Sequence, residues 1–471
     1  MLLHLVFHLV FHLVFHPLRF STASITEHQF VISAWVDPVV HPSEFDERYR
    51  EYRHANFTVL LGNFGATTPD AVLLQLQACE QNGLKAIVST CGGTSTTPTP
   101  GACVTNTTIS SSPALIGYQM KDEPDASEFP KLKSWSTEVS ESAPNALRFI
   151  NLLPNYADEQ QLNATSYDDY VRQFVNTVEP DVLCMDHYPY FFNEDPTSNT
   201  STEGYHRNMQ VLRKYSLLKG IPFWNFFNAI PFNTHLAPNK GQLAWQAFTS
   251  LSYGAKGVLY FTYWSPGFPP SNGNAPKSRF HRSMDVFLKR AGKTTVQFGD
   301  FDKGGGLVSP MTFGIDGPLS AFNYAPTLQY QYAKEINTLL LNFGTYLLDC
   351  NSTGVWRPHL GAAPASSPIV GLNETNSAGS TTPSKFMPSG NYLIGFFERG
   401  AGGKNAILIM NQRHDIDLWP TITLRSGFVG KTLQEVDEVS GRVRPVRDDS
   451  PGIPGLQMVL PAGHARLLVV V

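Results

Sequence analysis

The segment "ALIGYQMKDEP", Ala114 to Pro124, runs from a largely apolar stretch onto two adjacent acids and stops at a proline. A near-continuous apolar run of this length reads as a strand buried on both faces, the kind found in parallel sheets. Working outward from it, the same unit recurs. "FVISAWV" (Phe30–Val36), "FTVLLG" (Phe57–Gly62) and "LKAIVS" (Leu84–Ser89) precede it, and "LRFINLL" (Leu147–Leu153), "DVLCMD" (Asp181–Asp186), "IPFWNFF" (Ile221–Phe227) and "AKGVLYFTYW" (Ala255–Trp264) follow. Eight such runs in succession predict a closed (β/α)₈ barrel, the TIM-barrel architecture. An open doubly wound sheet rarely carries eight equivalent units in a row.

The stretches between the runs carry helix signals. "SEFDERYREYRHA" (Ser43–Ala55) opens with a serine followed by an acid three residues on, a capping-box spacing. "PDAVLLQLQACEQNG" (Pro69–Gly83) begins on proline and ends on glycine, as helices do. "SYDDYVRQFVNTVEP" (Ser166–Pro180) sets Tyr170, Phe174 and Val178 four apart, and "TEGYHRNMQVLRKYSLLKG" ends on Gly220. A last barrel helix is expected near Thr327–Leu341. From 351 to 390 the chain turns rich in Ser, Thr, Pro and Gly, which reads as an irregular linker. Short apolar runs spaced by turn residues then predict a small C-terminal antiparallel β-sandwich at 391–471. The expected organisation is an N-terminal segment at 1–27, a barrel at 28–350, the linker and the sandwich.

Composition narrows the function. Only 16% of the 471 residues are charged and the net charge is −4, with no basic stripe and no phosphate loop, so a nucleic-acid partner is not expected. Aromatic residues are abundant, with 31 Phe, 18 Tyr and 7 Trp, and aromatic faces suit the apolar faces of neutral sugars. No run beyond the start is apolar for the length a membrane helix needs. The five cysteines form no short-spaced metal pattern, and no His/Asp/Glu cluster has ligand spacing, so neither metal nor cofactor is expected. Cys91 and Cys103 bracket "GGTSTTPTPGA", a segment too flexible to hold itself, and suit a loop-closing disulfide in an exported chain. The start, "MLLHLVFHLVFHLVFHPLRFSTAS", is signal-like in its apolar character and its small residues, although histidines interrupt the run. Together with six Asn-x-Ser/Thr sequons it points to a secreted or extracellular location.

In a barrel of this kind, side chains at the carboxyl ends of the strands act and those at the opposite rim stabilise. Asp122 and Glu123 end the fourth run, Asp186 ends the sixth and Asp37 the first, whereas the seventh and eighth end without acids. Two carboxyl groups across a sugar are what glycosidic cleavage needs: one protonates the leaving oxygen, the other attacks or activates water. Glu123 is the expected general acid, its pKa raised by apolar surroundings and a like charge, and Asp186 the second carboxylate. Trp35, Tyr118, Tyr156, Tyr188, Trp224, Tyr263 and Trp264, with Asn63, Asn155 and Asn225, are expected around them as sugar contacts. Asp37 and Asp122 are expected to orient neighbours or bind hydroxyls, and His187 to bond Asp186 or a sugar.

On these residues the chain resembles a clan-A-type glycoside hydrolase, and in particular the β-galactosidase-like barrel proteins related to family forty-two that carry a "DEP" signature and a small C-terminal sandwich. The resemblance spans Phe30 to Trp264 and, more loosely, Tyr392 to Val471. It implies a Glu acid/base after strand four, where Glu123 stands, beside an Asn that is Asp122 here. It also implies a nucleophilic Glu after strand seven, where "WNFFNAI" has none. The expected function is therefore a glycoside hydrolase acting on a neutral oligo- or polysaccharide. A catalytically inactive carbohydrate-binding barrel and a transglycosylase are the alternatives. A Glu123–Asp186 separation of about 5–5.5 Å implies retention of configuration and about 6.5–9.5 Å implies inversion.

Overall fold

The computed structural model describes residues 29–35, 37, 45–62, 66–92, 99–191, 200–230, 235–263, 308–310, 324–365, 367–374, 391–400, 405–426, 432–449 and 456–471. Eight parallel strands form one sheet: β1 (Val31–Ala34), β2 (Val59–Gly62), β3 (Lys85–Ser89), β4 (Leu115–Asp122), β5 (Leu147–Leu152), β6 (Leu183–Asp186), β7 (Phe223–Asn228) and β8 (Gly257–Phe261). From β2 to β8 each pairs with its neighbour in sequence, and β8 pairs with β1, which leaves β1 and β2 at the seam. Thr58 closes the ring between β1 and β2. Its N–H donates to the Ile32 carbonyl (2.9 Å), and its hydroxyl donates to the Phe30 carbonyl (3.0 Å) while accepting from the Ile32 N–H (2.9 Å). The architecture is the barrel that the sequence predicts.

Helices begin and end where local chemistry allows. Thr68 caps helix Pro69–Gln81, Ser166 caps Tyr167–Thr177 and Ser201 caps Thr202–Lys219, which stops at Gly220 in a left-handed conformation. Helix Lys240–Ser252 opens with a complete capping box from Asn239 and Gln242. Ser43 lies outside the described residues, and the helix after it is seen from Phe45 to His54. The last barrel helix runs Leu328–Leu348, longer than the sequence reading placed it, because Ile336, Leu340, Phe343 and Leu347 keep one face buried to its end.

The barrel wall separates two cores. Inside lie Val31, Val59, Leu61, Ile87, Ile116, Leu147, Phe149, Cys184, Trp224, Phe226 and Leu259. Between wall and helices lies a larger core that includes Ile32, Leu60, Val88, Tyr118, Ile150, Met185, Phe227 and Tyr260. Side chains on a strand alternate between these two sides. In the interior, Gly257 leaves room for Trp224: a Cβ there would sit 2.7 Å from Trp224 Cδ1 and 2.8 Å from Val31 Cβ.

Two short strands, β9 (Val308–Pro310) and β10 (Tyr324–Pro326), pair with each other before the last barrel helix. Beyond that helix come β11 (Cys350–Trp356), β12 (Ile369–Glu374), β13 (Tyr392–Arg399), β14 (Asn405–Asn411), β15 (Pro420–Leu424), β16 (Leu433–Val436), β17 (Val443–Pro445) and β18 (Ala465–Val470). Six of them form an antiparallel sheet in the order β11-β13-β14-β18-β16-β17, and β12 pairs with β15, consistent with a small sandwich. The stretch expected as an irregular linker thus contains β12 and nearly all of β11. Its polar composition misled because β11 is an edge strand with several residues open to solvent. The six-stranded sheet is buried on both faces. Ile394, Ile407, Ile409 and Leu468 meet the strands of the small sheet, while Leu393, Phe397, Leu408, Met410 and Leu467 join the core around the barrel helices.

Candidate active site

Alternation decides which strand-end residues reach the barrel mouth. In β6, Cys184 is inside and Met185 outside, so Asp186 points in. In β5, Phe149 is inside and Ile150 outside, so Asn151 points in. Asp122 pairs in register with Asn151 and shares its side of the sheet. Asp122 owes that orientation to a register shift in β4 between Gln119 and Lys121, without which Lys121 would face the mouth. Lys121 instead faces outward and pairs with Glu128 (2.9 Å).

Asn151 joins the two acids. Its amide nitrogen donates to Asp122 Oδ1 (3.2 Å) and to Asp186 Oδ1 (3.1 Å), and its backbone carbonyl accepts the Glu123 N–H (2.8 Å). Glu123 itself adopts a left-handed backbone, φ 46°, as the chain turns out of β4. Asp186 also accepts a bond from the Tyr188 hydroxyl. Asp186 is 6% exposed, whereas Asp122 is open to solvent. Burial pushes Asp186 up to about 7, with the Asp122 charge adding to the rise and the bonds from Asn151 and Tyr188 opposing it. Asp122 rises to about 6 through desolvation, opposed by Asn151 and Lys121, and the water that reaches its carboxyl limits the effect.

Around the acids stand Tyr156 and Tyr188, whose hydroxyls feel the charges of both Asp186 and Glu123. Tyr188 packs against Phe261 (5.2 Å), and Trp35 meets Phe226 edge-on (6.0 Å). The site is a carboxyl cluster in aromatic walls, able to hold one proton beside an ionised carboxylate.

Other expected contacts lie elsewhere. Tyr118 pairs with outward-facing Val88 and sits among the helices, its hydroxyl donating to the Cys103 carbonyl (3.3 Å). Asn225 is outward between Trp224 and Phe226 and donates to the hydroxyls of Tyr205 and Ser250 (2.5 and 2.9 Å). Tyr263 packs with Tyr52 and Phe57 under the helices. Trp224 points inward but lies below the acids, in contact with Phe149 (5.8 Å). Asp37 is buried and accepts from Gln75 Nε2 (2.8 Å) of helix Pro69–Gln81. His187, one residue past Asp186, faces outward. Its Nδ1 meets the Asn208 side-chain oxygen (3.3 Å), and burial pushes its pKa down to about 3, which keeps the ring neutral. The same Asn208 oxygen accepts the Asn155 N–H (2.8 Å), so Asn155 and His187 anchor the two loops that carry Tyr156 and Tyr188. Asn63 and Trp264 lie outside the described residues. Cys91 and Cys103 are bonded to each other, with Cα atoms 5.2 Å apart. Sequence reasoning overlooked Asn151. The available signal was a polar residue on the inward side of an otherwise apolar strand.

Strand β7 ends on Asn228, whose amide donates to the Leu236 carbonyl (2.9 Å) and whose oxygen accepts the Ile230 N–H (3.2 Å). That residue fixes its own loop. No group of three or more His, Cys, Asp or Glu side chains able to hold a metal occurs among the described residues, and no helix among them is long and apolar enough to cross a membrane.

No family model and no curated protein matches the chain. Among solved structures, one described as a glycoside hydrolase aligns with 94% of this chain and 92% of its own, with 11% identity and a TM-score of 0.51. A glycoside hydrolase family 5 protein from Bacteroides vulgatus aligns with 94% of this chain and 89% of its own, again with 11% identity, at a TM-score of 0.50. The likeness is one of fold. It extends to barrels of the glycoside hydrolase type in general and does not single out the family-forty-two group or a DEP motif.

Proposed function

We propose that the protein is a glycoside hydrolase that cleaves an O-glycosidic bond in a neutral oligo- or polysaccharide, using the carboxyl cluster at the barrel mouth. The observation that carries this reading is the placing of Asp122 and Asp186 on one amide donor, with Glu123 at the next position. A buried acid that keeps its proton near neutrality beside a more open, ionised acid is the division of labour that glycosidic cleavage requires. Asp186 protonates the departing oxygen, and Asp122 stabilises or attacks the anomeric carbon. Their facing oxygens lie no further apart than the sum of the two bonds to Asn151. Both carboxylates thus border one point of the mouth, and the anomeric configuration of the first product tells retention from inversion. Tyr156 and Trp35, both partly exposed, supply faces for the sugar ring, while the buried Tyr188 steadies Asp186 through its hydroxyl.

A second assignment of roles keeps Glu123 as the proton donor opposite Asp186, supported by the charges of both acids bearing on Tyr156 and Tyr188. The separating experiment is turnover of aryl glycosides with poor and good leaving groups, alongside a glycan panel. The variant lacking the true acid loses about 10²–10⁴-fold on poor leaving groups and far less on good ones. The variant lacking the attacking carboxylate loses on both. Asp186→Asn is expected in the first class and Asp122→Asn in the second; Glu123→Gln in the first class would transfer the acid role to Glu123. Micromolar to millimolar glycan binding without product would instead make the protein a binding barrel, and product formed only with an added acceptor sugar would make it a transglycosylase.

A further inference from the structure

We propose that Asn151 is the positioning residue of the site, its side chain holding Asp122 and Asp186 together and tying the two aspartates into a single proton-sharing pair. The assignment deepens the glycosidase reading and rests on it for its catalytic meaning, but the geometry stands by itself. Asn151 is 4% exposed. Its nitrogen is committed to two carboxylates and its backbone carbonyl to the Glu123 N–H. Its own Oδ1, in contrast, is buried and meets no donor among the described residues.

An unmet buried acceptor costs about 1–3 kcal/mol, so a residue retained only to fill space there would be better apolar. Neighbouring positions on the same inward side of β5, Leu147 and Phe149, are apolar. The amide is placed where its side chain bonds both aspartates at once, beside a main-chain bond that fixes where Glu123 follows. Loss of the side chain removes a donor from each aspartate, and a carboxylate without its donor holds its proton more tightly. An Asp in the same place turns the donor into a third negative charge.

The test is a pH titration of the carboxyl C=O stretch by difference infrared spectroscopy on the full chain. The pair's bands are those lost in Asp122→Asn and Asp186→Asn. This readout needs no substrate, so it decides on Asn151 even if no glycan is turned over. Asn151→Ala is expected to raise the pair's midpoint by about one pH unit, and Asn151→Asp by more. Where the wild type turns over a glycan, Asn151→Ala is further expected to lower kcat about 10–100-fold with KM changed little, and to move the pH–rate limbs with the infrared midpoint. A folded Asn151→Ala protein with an unmoved midpoint overturns the proposal. Should the alanine variant fail to fold, Asn151→Ser, which keeps one donor for one carboxylate, replaces it. A folded serine variant with the wild-type midpoint overturns the proposal, as does failure of both variants to fold, which would make Asn151 a structural residue.

Discussion

Asp186 is the residue in which stability and chemistry oppose each other. Its carboxyl is buried, raised to about 7 and faced by a second acid. A carboxyl whose folded pKa lies above its unfolded value binds its proton more tightly in the native state. Its contribution to stability is therefore complete below about pH 4 and declines as pH rises towards 7. Asp186→Asn, which keeps an acceptor for Asn151 but cannot ionise, is expected to stabilise the protein at pH 8 by on the order of 2 kcal/mol while changing little near pH 4. Denaturant midpoints at the two pH values check this; equal effects at both would show that the charge is not the cause. For activity the sign works out as a bell. The pair is competent with one proton, so kcat/KM is expected to fall on the acid side near or below 6 and on the alkaline side near 7. A rate that stays flat from pH 4 to 9 would count against the pair. The three acids were legible because carboxylates at the ends of apolar runs stand out. Asn151 was not, because a single amide inside a strand leaves no compositional mark.

At the scale of elements, runs and helix caps made the barrel readable, whereas the direction of each side chain was not. β4 shows why. It pairs with β3 across one register shift and with β5 across another. Each shift resets which residues face inward, and no sequence period records a bulge. Tyr118, expected at the mouth, therefore lies among the helices. His187 and Asn225 each stand beside an inward-facing residue and so face out, away from the mouth where their residue type alone would put them. Gly257 allows an element-scale prediction. Gly257→Ala forces a methyl against Trp224 and Val31 in the packed interior and is expected to cost about 1–3 kcal/mol, read as a lower urea midpoint. Turnover per folded molecule should hold, because Trp224 lies below the acids. An unchanged midpoint would mean that Trp224 is free to move aside.

Over the whole molecule, barrel and C-terminal sheet share one core. Helix Lys240–Ser252 packs its outer side on β13 and β14. Near its start the backbones nearly touch, since a Cβ on Gly241 would lie 2.1 Å from the His414 carbonyl oxygen. Arg357 forks onto Glu203 (2.9 and 2.8 Å), and His206 meets Gln412 (2.8 Å). A chain ending at residue 349 is expected to be insoluble or molten, and the full chain to unfold in one calorimetric transition. Two separated transitions, or a soluble truncated barrel with sharp near-ultraviolet dichroism, would refute the shared core. The sheet that covers this helix is central at β18 but assembled from strands that begin some 110 residues later, with β18 itself more than 200 residues on. At ribosomal rates of about 5–20 residues per second, the greasy side of helix Lys240–Ser252 waits roughly ten seconds or longer before its cover exists. The barrel is thus translated well before it can be sealed. During that interval the nascent chain is a natural client for chaperones that shield apolar surface.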